Sequence, residues 1–286
     1  HIWRQQDLPW LIGPMVPRIF GPYDPIRRDY PIEEFLADQE ASGIEKAVYV
    51  QTNWAKEEFE KETAWVQETA DHTGWPHAIV GYADMTVDDV RPQLDRLAKY
   101  PLLRGVRMQL HWHENPDYRF ATSATQVLDP NVRKNVAFLK EYGLSFDLQL
   151  FPAQMSDGAT LVEENPDTRF ILTHVGMLTD MDPATVAAWE EGLRHLAAHP
   201  NVFAKLSGLG TFIHRNDPEM IDFIVSRAVD IFGGERLMFG SNFPIEKLWT
   251  DHKTMVDAYR AAVDKLGEKA SAAILHDTAA RVYRPA

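Results

Sequence analysis

The chain has 286 residues, 45% hydrophobic and 25% charged, the balance of a globular protein that buries a substantial core and not of a disordered one. Asp and Glu number 42 against 29 Lys and Arg, and the net charge of −13 argues against nucleic acid as a partner, because a polyphosphate backbone would be repelled. Cysteine is absent, which removes disulfides, thiolate catalysis and Cys-based zinc sites and suits a cytoplasmic protein; no apolar run approaches the roughly 18 residues of a membrane span, and no signal-peptide pattern opens the chain.

Apolar runs recur along the sequence and predict strands at KAVYVQTN (46–53), HAIVGYADM (77–85), LLRGVRMQLHW (102–112), LSFDLQLF (144–151), RFILTHVG (169–176), NVFAKLSG (201–208) and RLMFGSN (236–242). Amphipathic segments follow them at 57–72, 87–100, 130–142, 157–164, 183–199, 218–232 and 250–266, several opening at a proline. This order predicts an α/β fold with a parallel sheet and helical crossovers. With His1 at the end of a first strand truncated before residue 1, the strands become eight, enough for a single (β/α)8 TIM barrel over 1–286. A doubly wound open sheet is the alternative. Residues 4–31 and 112–129 lack a clear period and follow strand ends, so they are expected to cover the catalytic face.

Side chains alternate across a strand, which sorts polar groups by direction. In 102–112, Val106, Met108 and Leu110 share one face, and Arg107, Gln109 and His111 the other. A face packed on helices does not hold three polar groups, so the second set is expected to point inward. The same reading turns Asp147, Gln149, Lys205 and Ser207 inward and leaves Gln51, Tyr82, Asp84, His174 and Asn242 near strand exits. Polar residues at the C-terminal ends of parallel strands mark a barrel's active face.

Structural readings compete with functional ones. Arg107 could pair with Asp147, and Lys205 could sit in an interior ion pair. Asp84 could cap the helix that follows, and Gln51, Gln109 and Gln149 could complete a buried hydrogen-bond network. His113 is expected at the surface, His72, His195, His199, His252 and His276 in solvent, and Glu246 as a loop or helix-start charge.

HIW at residue 1 resembles the tail of the D-x-H-x-H-x-W opening of the amidohydrolase-related TIM-barrel hydrolases, in the branch of sugar lactonases and pyrone-dicarboxylate lactonases. RGVR, FDLQ, THVG, NVFAKLSG and MFGSNFP resemble that branch's successive strand-end motifs, and ILHDTAARVYR its closing helix. The resemblance implies a hydrolase that opens a lactone of a sugar acid or a small carboxylated ring, with an anionic small-molecule substrate. His174, His1 and Asn242 would be catalytic, and Arg107, Lys205, Gln149, Gln51, Gln109, His111 and Asp84 would bind substrate. Asn242 falls where the family commonly has an aspartate that ligates metal or activates water. A single divalent metal, zinc, would be held by His1 and His174; metal-free forms of such lactonases also exist. Lactone isomerisation or decarboxylation is the alternative within the superfamily, and a non-catalytic small-molecule-binding barrel the alternative outside it. A homo-oligomer is compatible with all three.

Overall fold

Runs of β-branched and apolar residues form the strands in the computed structural model, which describes residues 1–286. They are β1 (Val48–Val50), β2 (Ala78–Gly81), β3 (Leu103–Arg107), β4 (Ser145–Leu148), β5 (Phe170–Leu172), β6 (Val202–Leu206) and β7 (Leu237–Phe239). All pair in parallel, in the order β1-β2-β3-β4-β5-β6-β7. Helices cross between them, among them Phe59–Thr73, Pro183–Ala197 and Pro218–Phe232, and His252–Asp264 follows the last strand. Asp129, Asp182 and Asp217 each accept backbone N–H bonds at a helix start and are followed by proline, so one side chain satisfies orphan donors while the ring presets φ.

The strand order has no reversal, which excludes the doubly wound sheet. The sheet also curls: Val48, Val50, Ala78 and Val80 from its first strands meet Phe203 and Met238 from its last two in one interior cluster, with Val282 and Tyr283 of the closing helix among them. The opposite parity, including Phe146, Leu148, Phe170, Leu172 and Leu206, packs outward in the main core. The result is a TIM-like arrangement with seven strands. The expected eighth, which the sequence places before residue 1, is not among them. Residues 1–3 contribute a single antiparallel bridge, Trp3 to Tyr30, and His1 instead spans the gap between the sheet edges, its backbone nitrogen 2.8 Å from Phe243 O and its Nδ1 2.6 Å from Val50 O.

Two polar side chains are more buried than the sequence suggests. His252 is buried, with Nδ1 2.7 Å from Ser42 Oγ and its ring against Phe35 and Phe243. Glu246, expected as a loop or helix-start charge, does begin the short helix Glu246–Leu248 but is only 3% exposed.

Candidate active site

The strand exits converge on a cleft of about 730 Å³ at the C-terminal face of the sheet, lined by His1, Gln51, Arg107, Gln109, His111, Gln149, His174 and Asn242. Backbone strain aims several of these groups. His174 and Asn242 have φ of 54° and 51°, in the left-handed region, and Val175 follows at 38°, where a β-branched side chain is a true outlier. Gly208 makes room for the result: a Cβ there would stand 2.6 Å from His174 Nδ1.

Arg107 dominates the electrostatics. It is buried, its Nη2 donates to Gln51 O at 2.6 Å, and its Nε has no partner in the protein. The carboxylate that could have paired with it, Asp147, is taken by Lys205 Nζ at 2.5 Å and by the Tyr283 hydroxyl at 2.8 Å. A buried guanidinium without a carboxylate partner is costly, and burial works against its charge. An anion or a developing oxyanion in the cleft would relieve that cost.

The histidines respond to the same charge. Nδ1 of His174 donates to Ser207 O at 3.1 Å and lies 2.9 Å from Ser207 Oγ, which leaves Nε2 as the free lone pair. Desolvation, then the charges of Arg107 and Lys205, pull His174 down to about 3. His111 is likewise pulled to about 3 by desolvation, Arg107 and Arg18, and its Nδ1 has no partner. Both rings are neutral at pH 7.

Behind Asn242 stands a residue that composition and parity did not single out. Asn242 Nδ2 donates to Glu246 Oε1 at 3.3 Å, and Trp249 Nε1 donates to Glu246 Oε2 at 2.8 Å. With these two neutral donors and no cation, burial raises the Glu246 carboxyl to about 7. Glu246 sits on the turn after a proline, four residues past Asn242, a spacing that a one-turn helix would have revealed.

Two expected site residues are placed elsewhere. Lys205 is absent from the cleft wall; it faces Asp147 in the barrel interior, with Nζ 5.1 Å from the Tyr283 ring centre, so its interior position serves an ion pair. Asp84 bonds Thr86 N at 2.9 Å and Thr86 Oγ1 at 2.5 Å, and lies 3.6 Å from Lys56, a turn-capping role away from the cleft. Gln51 both lines the cleft and closes a network, bonding Arg107 O at 3.3 Å and Gln109 Oε1 at 3.4 Å. His113 is part-exposed against Phe151. The aperiodic loops supply further wall residues: Arg18, stacked over Trp10 and Phe120, and Arg119 and Asp117. Only the position of those loops after strand ends announced them.

Residues 1–286 supply an incomplete donor set for the expected zinc. His1 and His174 each turn Nδ1 to a backbone carbonyl and keep Nε2, but no group of three or more His, Cys, Asp or Glu comes together anywhere in the chain. Asn242 adds a neutral amide oxygen, a poor third ligand.

The amidohydrolase family model matches residues 1–284. Uncharacterized protein y4mH of Sinorhizobium fredii is 35% identical over 99% of this chain and 96% of its own. An L-fucono-1,5-lactonase of Burkholderia multivorans is 29% identical over 99% of this chain and 93% of its own. A crystal structure of an amidohydrolase from Burkholderia multivorans with bound zinc superposes with a TM-score of 0.82 at 28% identity, covering 100% of this chain and 97% of that one.

Proposed function

The chain belongs to the amidohydrolase family, and on that premise we propose that it hydrolyses a lactone, of a sugar acid or of a small carboxylated ring. The observation that carries this reading is Arg107, a buried guanidinium with no carboxylate partner, in the wall of a cleft shared with two neutral imidazoles and an amide. The likeness to an L-fucono-1,5-lactonase supports the choice of a lactone among the hydrolysable bonds.

In this reading the lactone carbonyl oxygen lies against Arg107, whose fixed donors stabilise the oxyanion as water attacks. His174 Nε2 accepts the water proton and returns it to the ring oxygen as the carbonyl carbon–oxygen single bond breaks, giving a hydroxy acid. A base pulled down to about 3 is weak in the free enzyme. Its largest charged opponent is Arg107, so negative charge developing on the substrate oxygen raises the affinity of His174 for the proton during the step that needs it. Asn242 orients the lactone or the water and moves no proton. None of these steps passes through a metal.

The test is a panel of sugar-acid lactones and pyrone carboxylates followed by NMR. A free hydroxy acid as product, lost in Arg107→Ala and His174→Ala with the fold intact, is the expected result. A shifted lactone or released CO₂ replaces hydrolysis by isomerisation or decarboxylation, and full activity in both variants overturns the assignment.

A further inference from the structure

Beside the candidate active site a second, wider cleft opens, about 1560 Å³ against about 730 Å³, and the two share Asn53, Gln109 and Phe120 as a dividing wall. Phe120 is 38% exposed on that divide. Each charged group of the second cleft has a partner in the protein. Glu62 Oε1 accepts from the Tyr49 hydroxyl at 2.8 Å, Thr52 N at 2.6 Å and Thr52 Oγ1 at 2.9 Å. Lys56 faces Asp84 at 3.6 Å, and Asp129 caps the helix Pro130–Val136. What the wall still offers a ligand is neutral: the aromatic surfaces of Trp54, Phe59 and Tyr82, and the hydroxyls of Ser123 and Thr125. The Trp54 indole N–H, buried, has no acceptor in the protein.

A second catalytic centre would need a nucleophile with a base beside it; the lining holds no histidine or cysteine, and its lysine faces Asp84. An anion would need an unpaired cation. Aromatic faces interleaved with uncharged hydroxyls suit an uncharged ring with apolar faces and many hydroxyls. We infer that the second cleft is a subsite for a sugar ring carried on the lactone, so that the substrate is an aldobionic-acid lactone: the acid-derived ring sits against Arg107 and the glycosyl ring passes over the Gln109 and Phe120 divide. This rests on the lactonase reading for the identity of the first ring, and on the second cleft alone for the glycosyl unit.

Binding is read by calorimetry on the open acids, which requires no turnover. The probes are galactosyl-gluconate and glucosyl-gluconate against gluconate, on wild type and on Ser123→Trp and Thr125→Trp, both at exposed positions outside the first cleft where the larger ring fills the second. At least one disaccharide acid should bind wild type tenfold or more tighter than gluconate, and both variants should erase that difference while gluconate affinity stays within twofold. Equal affinities in wild type, or equal weakening of both ligand sizes in the variants, overturn the subsite. A protein that shows the difference but hydrolyses no lactone overturns the lactonase reading alone. One that hydrolyses monosaccharide lactones and shows no difference overturns the subsite alone.

Discussion

Asn242 and Glu246 are joined by a 3.3 Å hydrogen bond in which the amide Nδ2 donates to a carboxyl that burial has raised to about 7. An ionised carboxylate only accepts, so it holds the amide with Nδ2 toward itself and Oδ1 free. Removing either partner therefore disturbs the same orientation. Asn242→Ala should slow turnover by about 10²-fold, the scale for one preorganised hydrogen-bonding group. His174→Ala should cost more, because it removes the proton carrier. The comparison of kcat for the two variants on one substrate checks the assignment, and a dead Asn242→Ala beside a healthy His174→Ala reverses the roles.

Glu246 also leaves a signature in stability. Its folded value lies above the ordinary carboxylate value of 4.5, so between pH 4.5 and about 7 the folded state binds more protons than the unfolded one. Stability from this group is greatest at the acid end and falls as pH rises to about 7, by on the order of 3 kcal/mol. Glu246→Gln removes the dependence. Urea unfolding at pH 5 and pH 8 should show the variant gaining on wild type at pH 8; a constant difference between the two proteins contradicts the buried, uncompensated carboxyl.

The histidines act with the opposite sign. His111 and His174 are lowered to about 3 and His252 to about 4, each mainly by desolvation, so below their ordinary value of 6.5 the unfolded state binds the extra protons. Their folded neutral forms cost nothing above pH 6.5 and destabilise progressively as pH falls toward 4. Unfolding midpoints should drop steeply over that range, and His252→Asn, which keeps a polar partner for Ser42, should flatten the drop without touching the cleft.

Two interior cations separate stability from activity. Lys205→Met strands Asp147 in the barrel and should cost about 3–5 kcal/mol, the scale for breaking a buried pair by removing one partner. The double replacement with Asp147→Asn should recover part of it. Arg107→Ala should cost less than Lys205→Met, since no carboxylate loses its bonded cation, while abolishing activity. Urea midpoints and kcat/KM measured on the same four proteins decide this, and equal stability losses in Lys205→Met and Arg107→Ala would contradict it.

How much of this was legible in the sequence follows from what each signal measures. Parity reads direction, and it correctly turned Arg107, Gln109 and His111 together into one cleft. It could not separate depth along the barrel, so Lys205, equally inward, was grouped with them although it lies below, against Asp147 and Tyr283. Tyr283 comes from the far end of the chain, and no local pattern announces a hydroxyl that arrives from the closing helix. Asp84 is at a strand exit as expected, yet a turn captured it. The loops 4–31 and 112–129 were placed by their position alone, and Arg18 and Phe120 within them carry no period that would mark them as wall. Glu246 reads as a loop or helix-start charge, which is where it lies, but its burial is not legible, because charged residues are rarely buried and the sequence does not show the Trp249 indole N–H that bonds it.

Asn242→Asp tests the central relationship most directly. It sets two carboxyl groups at the contact now spanned by the 3.3 Å bond, with no cation bonded to either. Like charges at that distance cannot both ionise, so the pair should share a proton and titrate in two macroscopic steps, the upper one above the value near 7 that Glu246 shows alone. Near neutral pH the variant then presents a carboxylic acid where wild type presents an amide, and its pH–rate profile should gain an inflection above 7 on the alkaline side. Adding Glu246→Gln removes the second carboxyl, which should return the remaining Asp to a single lower step and abolish the inflection. If the double variant keeps the inflection, the two side chains are not coupled, and the orienting role of Glu246 fails with them.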